Sequence, residues 1–549
     1  MKALKVKASY KINIIITLPV FLALFLGSCN KKLLDEHPLS SLNAYITLTS
    51  VPGFENFLTG LAWAARDEYT APSDALFPLT EFPGTDEAGD AGAEYVTYRN
   101  WATYLTPVTP EVIANWEWAY TKMIPQANTI IVYANKPSLE SIWKSTEEKN
   151  AIIAEARFYR AYTYNFLANL YGGVPIVDTV LSVAKFDYVR ASRQEVYEFA
   201  KADLEFASKW LPATVDKSKE GKIVKAAADH LLTEVYISLG QYDSAVSSAS
   251  RVINSGLYHL MDHRFGTESD RPGDVFSDLF RDGNQNRSAG NMETLYVMQI
   301  EAFTAGGDGS NGGNAAVRYF APFLTHIQDP DGKNMIATDS MGRGVGRVRP
   351  TNYLLYNIWE NDWDDMRNSQ YNMRRVFYYN NPASAYFGKM VEPRTANEDT
   401  MRSMYPYSRK VEGKPWQGNN TSGRTAKDIT VYRLAGTYLL RAEAFLGKGE
   451  LQNAANDLNV VRARANAAPV GAGDVTLDFI LDERARELWT EEPRRRTLIR
   501  MGKLVERVRK FGLMETSRNT VQDYNNLWPI PQKAIDANSG AALDQNPGY

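Results

Sequence analysis

Apolar residues recur at helical spacing over long stretches of this chain, and the clearest run is AIIAEARFYRAYTYNFLANLYGG. There Ile153, Ala156, Tyr159, Tyr162/Thr163 and Phe166/Leu167 fall on one face, and Gly172, Gly173 and Pro175 close the segment. Helical texture dominates from about residue 110 to 260 and returns in VYRLAGTYLLRAEAFLGKGELQNAANDLNVVRARA and FILDERARELWTEEPRRRTLIRMGKLVERV. Between about 261 and 430 the pattern breaks up. Runs such as GGDGSNGGN and GRGVGRVRP are loop chemistry. So long a stretch in a compact chain should carry short helices and hairpins of its own.

Two helical segments share one grammar. AADHLLTEVYISLGQYDSAVSSASRVINSG sets Leu232, Tyr236, Gly240, Tyr242, Ala245 and Ala249 in the order helix, tight turn, helix; YLLRAEAFLGKGELQNAANDLNVV repeats it with Ala442, Phe445, Gly449, Leu451 and Ala454. Small alanines let two helices approach, and the glycine makes the reversal, as in tetratricopeptide (TPR) units of about 34 residues. Each such unit leaves an apolar face for a neighbour, so several should stack. A mostly α fold is predicted, with TPR-like hairpins from both ends of the chain packed together and a loop-rich lobe between them. The corresponding segments are 46–260, 261–430 and 431–549.

The first 28 residues read differently. Lys2, Lys5, Lys7 and Lys11 precede an apolar stretch from Ile12 to Leu26, closed by Gly27 and Ser28. That is the build of a secretory signal, and the run is shorter than the roughly 20 residues of a spanning helix. Leu26-Gly27-Ser28-Cys29 resembles a bacterial lipobox, in which the cysteine becomes the acylated first residue. Cys29 is the one cysteine in the chain, so disulfides cannot staple this fold. Acyl chains such as palmitate would hold the mature protein on a membrane, with residues 29–45 as a polar tether.

Charge narrows the partners. Without the four leader lysines the chain keeps 57 basic against 64 acidic residues, a formal charge of −7, and a general nucleic-acid partner loses support. The arginine-rich tract 482–510 pairs Asp482/Arg486, Glu491/Arg495, Glu492/Arg496 and Glu506/Lys510 at i, i+4. It reads as a solvated or inter-helix ion-paired face. GDGSNG at 307–312 fits a dinucleotide fingerprint in letters only, since neither a strand nor a helix flanks it. Calcium is the one inorganic ligand the loops suggest, at Asp282, Asn284, Asn286 and Glu293 or at DPDGKN (329–334), although Arg287 stands where a calcium loop has its turn glycine. No cofactor is called for. Motifs of zinc proteases, α/β-hydrolases and P-loop enzymes are absent.

Aromatics make up 12% of the chain, and several fall in loop-like stretches: Tyr95, Tyr98 and Trp101 in DEAGDAGAEYVTYRNWATYLTP, and Tyr319 and Phe320 after the glycine-rich run. A ring in a polar loop can stack on the C–H face of a sugar whose hydroxyls take hydrogen bonds. Tyr98, Trp101, Tyr319 and Phe320, helped by Asp86, Arg99 and Asn100, are the predicted ligand surface. The alternative is that these rings pack the lobe itself.

AEARFYRAYTYNFLANLYGGVPIV (154–177), SRQEVYEFAKADLEFASKWLP (192–212), VYRLAGTYLLRAEAFLGKGE (431–450) and LWPIPQKAIDANSGAALDQNPGY (527–549) resemble, in order, the signature blocks of the SusD/RagB family. The resemblance implies a non-enzymatic surface lipoprotein of the outer membrane that faces the exterior. It would capture an oligosaccharide, or sometimes a peptide, and act as a hinged lid on a SusC-type TonB-dependent transporter. Gly436 departs from the pattern, since the family usually has glutamate there. The runner-up reading is a lipid-anchored surface glycoside hydrolase, suggested only by the acids and aromatics of the lobe.

Overall fold

The computed structural model describes residues 44–70, 77–91, 97–304, 306–307, 312–338, 340–392 and 399–549. The leader, Cys29, most of the tether, Tyr95 and part of GDGSNG lie outside them.

Helices α1 (Val51–Thr70), α2 (Ile124–Ala134), α3 (Thr146–Leu170), α4 (Arg193–Trp210), α5 (Lys225–Ser238) and α6 (Tyr242–Ile253) build the first part of a scaffold. Helices α7 (Leu434–Gly447), α8 (Leu451–Arg464), α9 (Leu477–Leu488) and α10 (Arg494–Arg500) complete it. Local chemistry sets the ends. Ser145 accepts a hydrogen bond from Glu148 N at the start of α3, and Ser192 and Glu195 form a reciprocal capping box at the start of α4. Gly240 (φ 70°) turns α5 into α6, and Gly449 (φ 74°) turns α7 into α8. A Cβ at either glycine would meet nothing within 4 Å, so backbone conformation alone selects glycine there.

Helix pairs α3/α4, α5/α6 and α7/α8 are antiparallel hairpins stacked side by side, with α4 against α5 and α6 against α7. The α6–α7 seam joins segments on either side of the lobe. Ile237 and Ala245 meet Leu440 and Ala444 there, and the alanines permit close approach. Helix α3 is buried on nearly all sides beyond Ile152, because α1, α2, α4 and α10 surround it. The mostly helical, TPR-like arrangement expected from the two repeated segments is what the chain adopts.

Three two-stranded antiparallel ladders organise the lobe: β1 (Ala88–Asp90) with β3 (Val348–Pro350), β2 (Thr294–Met298) with β6 (Ile429–Arg433), and β4 (Met373–Arg374) with β5 (Tyr407–Ser408). The lobe core is shared with distant segments. Phe82, Phe320 and Trp489 meet edge-on, with centroids 5.0 to 5.4 Å apart. Residues 77–91 therefore belong physically to the lobe although they precede most of the scaffold in sequence.

Many buried charges among the described residues are paired, as burial favours. Glu487 holds Arg367, Arg433 and Arg464, and Glu293 holds Arg433 and Arg464 again. This network ties the lobe to α8 and α9. No helix among the described residues is long and apolar enough to cross a membrane.

Candidate functional site

The structure corrects the predicted ligand surface. Asp86 is fully buried, and its carboxylate accepts from Arg494 at 2.9 and 2.6 Å and from Arg507 at 2.5 Å. Burial alone would raise its pKa, but the two guanidinium groups hold it down at about 2. Tyr98 and Trp101 pack at 4.6 Å beneath Arg495, whose guanidinium lies 3.8 Å from the Tyr98 ring. Trp101 is 0% exposed, and its indole N–H donates to Ser517 Oγ at 3.1 Å. Tyr319 and Phe320 are buried in the lobe core. Arg99, paired with Asp90 at 2.6 Å, and Asn100, which caps the short helix Trp101–Tyr104, are the two members of the set that reach solvent. The rings that looked like a sugar platform are covered by C-terminal helices distant in sequence.

The calcium candidates do not converge. Glu293 is held by Arg433 and Arg464, and Asn284 is buried and accepts from Thr267 N at 2.8 Å. Asn286 donates to Asp428 at 2.6 Å, and Asp282 accepts from Lys414 N at 2.6 Å. At 329–334 the Asp329 carboxylate takes the backbone N–H groups of Asp331 and Lys333, closing a turn on itself. Among the described residues no cluster of three or more His, Cys, Asp or Glu side chains is placed to hold a metal. The arginine tract is inter-helix paired, but not at the predicted spacing: Arg494 meets Asp86 and Glu87, Arg496 meets Glu68 and Glu81, and Glu492 meets Arg484. Arg494, Arg495 and Arg496 are buried rather than solvated, while Glu506, Arg509 and Lys510 at the end of the tract are exposed.

A different surface has the properties a sugar needs. Phe54, Leu58, Leu61 and Ala65 face the core from α1, which leaves Trp63 pointing outward and 36% exposed. Arg66, one step further along α1, turns inward and donates to the carbonyls of Gln299 at 2.6 Å, Gly306 at 2.5 Å and Gly307 at 3.2 Å. These bonds cinch the segment after β2 into a tight loop. Within it Phe303 adopts φ 64° and is 81% exposed, a conformation that costs about 1–3 kcal/mol in a residue other than glycine.

Between α1 and this segment runs an open groove of about 390 Å³, lined among others by Asn56, Thr59, Trp63, Glu155, Lys219 and Gln299. Its charges are paired: Lys219 and Lys222 lie 3.4 and 3.5 Å from Glu55, and Lys222 lies 3.7 Å from Glu155. Burial raises the Glu155 pKa; at Glu55 burial is outweighed by Lys222 and Lys219, which bring its carboxyl below the ordinary value. A Cβ at Gly221 would sit 3.0 Å from Gln299 Oε1, so glycine permits the close wall there. The groove thus offers one flat indole, lysines paired with glutamates, and donors and acceptors on both walls, which suits a polyol. A larger cleft of about 630 Å³ lies beside Tyr371, but no tryptophan lines it, and its Arg271, Arg281 and Arg409 are held by Glu268 and Glu412.

Trp63 was not among the predicted residues, because the helical texture read from the sequence begins only near residue 110. The usable signal was its position two residues after Leu61, about 200° around the helix from the core face.

Comparison with known proteins decides the kinship. The sequence model of the SusD family matches residues 275–549. The chain belongs to the SusD family. A second model, described as starch-binding and associating with the outer membrane, matches residues 34–237. The chain is 27% identical over 447 residues to the SusD-like protein P2 of Formosa agariphila, covering 77% of this chain and 80% of that one. It is 34% identical over 143 residues to the starch-binding protein SusD of Bacteroides thetaiotaomicron, 24% of this chain and 25% of that one. Among solved structures, a SusD homologue from B. thetaiotaomicron superposes with TM-score 0.70 at 19% identity, covering 94% of this chain and 99% of that one. Surface glycan-binding protein A from the same organism, solved with laminarihexaose, superposes with TM-score 0.68 at 19% identity over 90% and 99% of the two chains. These superpositions establish that this member has the SusD fold.

Proposed function

We propose that this SusD-family protein is a non-enzymatic, surface-exposed oligosaccharide-binding lipoprotein that uses the Trp63 groove. The carrying observation is the exposed indole set in a polar groove beside the Arg66-cinched loop. Supporting it, one relative is described as starch-binding, and a structural neighbour was solved with laminarihexaose. The proposal extends to the cell. Cys29 carries the lipid that anchors the chain to the outer membrane, and the bound glycan passes to a SusC-type TonB-dependent transporter for which this chain acts as the lid.

Calorimetric titration of the mature chain, kept in detergent, against a panel of glycans that includes laminarin oligosaccharides tests the reading. Saturable binding of one glycan class without release of reducing ends supports it. Hydrolysis at enzymatic rates would favour the glycosidase alternative, and binding confined to peptides would favour a peptide-binding member of the family.

A further inference from the structure

Most buried arginines in this protein meet at least two carboxylates. Arg462 has Asp362 and Glu483, Arg464 has Glu293 and Glu487, Arg494 has Asp86 and Glu87, and Arg496 has Glu68 and Glu81. Arg484, like Arg160 and Arg486, meets a single carboxylate. It is 4% exposed, its Nε donates to both oxygens of Glu492 at 3.0 Å, and its Nη1 meets no protein acceptor. A buried guanidinium N–H without an acceptor is a costly arrangement.

The same arginine lines a cavity of about 60 Å³ between α1, α3, α5, β6, α7, α9 and α10. Gly436, in the first turn of α7, forms part of the wall. A Cβ there would lie 3.2 Å from His230 Cε1, 4.0 Å from His230 Nε2 and 3.9 Å from Leu488 Cδ1. The absent side chain is therefore what opens the space beside His230. His230 shares a 2.8 Å hydrogen bond between Nδ1 and Thr437 Oγ1 and stacks on Tyr432 at 4.4 Å. Burial first, and the Arg484 charge second, push its pKa down to about 3, so the ring is neutral. In the tautomer that accepts from Thr437, Nε2–H is a second donor on the Gly436 side.

The other charged groups on the wall are already engaged. Glu491 is taken by Lys410 and Arg433, Glu492 by Arg484 and Thr497, and Arg496 by Glu68 and Glu81. Glu234 accepts from Asn165 at 2.8 Å. Half-buried Glu234 and Pro493 border the way in. Arg484 is left with one donor that no side chain on this wall accepts.

We propose that the cavity beside Gly436 is a binding site for a small monocarboxylate, held by Arg484 as the anchoring cation. The volume admits an ion the size of formate or acetate and excludes a sugar ring, so this site is separate from the Trp63 groove and does not depend on it. The bound carboxylate gives Arg484 a second carboxylate, as Arg433 and Arg496 on the same wall have from side chains.

Saturation-transfer NMR on the formate proton, with the mature chain in detergent and chloride matching the ionic strength, tests this. The wild type should give a saturable signal. Arg484→Met keeps the apolar stem and removes the donors, and should weaken formate binding at least about tenfold, the loss of a hydrogen bond to a charged group. Gly436→Ala puts a methyl into the cavity while favouring the helix, so it folds even if Arg484→Met does not, and it should weaken formate binding several-fold. No saturable signal from the wild type, or an affinity unchanged in Gly436→Ala, overturns the proposal and leaves the cavity to water alone.

Discussion

Asp86 separates a structural role from a ligand role cleanly. Replacing it with asparagine keeps shape and volume but removes one charge between Arg494 and Arg507, both almost fully buried. Its pKa of about 2 against an ordinary 3.8 corresponds to about 2.5 kcal/mol at about 1.4 kcal/mol per unit. Breaking a buried pair outright costs about 3–5 kcal/mol. The smaller figure should hold, because Glu87 lies 3.2 Å from Arg494 and is pushed up to about 8 by burial and by the Asp86 charge beside it. Without that charge Glu87 ionises more readily and restores part of the pairing. Urea unfolding followed by tryptophan fluorescence at pH 7 should show Asp86→Asn less stable by about 2–3 kcal/mol. Asp86→Asn/Glu87→Gln should lose more than the two single changes summed, because the compensation is gone. The folded-state pKa of Asp86 is depressed, so its contribution is present above 3.8 and lost as pH falls from 3.8 toward about 2. The gap between wild type and variant should therefore close over that window. Glycan affinity of folded Asp86→Asn should be unchanged. A loss below about 0.5 kcal/mol, the range of an ordinary surface change, together with weakened glycan binding, would refute the reasoning.

Trp101→Ala should cost about 3–5 kcal/mol, as for other fully buried large rings, and leave the glycan affinity of the folded fraction unaltered in calorimetry. Gly449→Ala should destabilise by about 1 kcal/mol through the left-handed backbone alone, read as a lower urea midpoint with an unchanged slope. Cys29→Ser should move the protein out of the outer-membrane fraction in cells that lack the transporter; retention there would show that something other than lipid holds it.

The scaffold was legible in the sequence because its determinants are local. Ser145, Ser192, Gly172, Gly240 and Gly449 act within a turn of where they stand, and the apolar face of α3 repeats at 3.6 residues. The lobe was less so. Phe82, Phe320 and Trp489 converge from three distant segments, and nothing near any of them announces the other two. The same limit misplaced the ligand surface. The stretch containing Tyr98 and Trp101 is polar enough to look like an exposed loop, but Arg495 and Ser517 close over it from the far end of the chain. Asn284, Asn286 and Glu293 had calcium-like spacing, yet each finds its partner outside the loop. Trp63 carried a local signal, its place off the core face of α1, but helical periodicity was read from the sequence only beyond about residue 110.

The central claim is that glycan binds against Trp63. Calorimetric titration of Trp63→Ala against the glycan that binds the wild type tests it most directly. Loss of an aromatic stacking platform worth about 1–3 kcal/mol should weaken binding by about 5- to 150-fold, with the unfolding midpoint nearly unmoved because Trp63 is a surface residue. Unchanged affinity in a folded Trp63→Ala protein would contradict the account and send the search for the site elsewhere on the molecule.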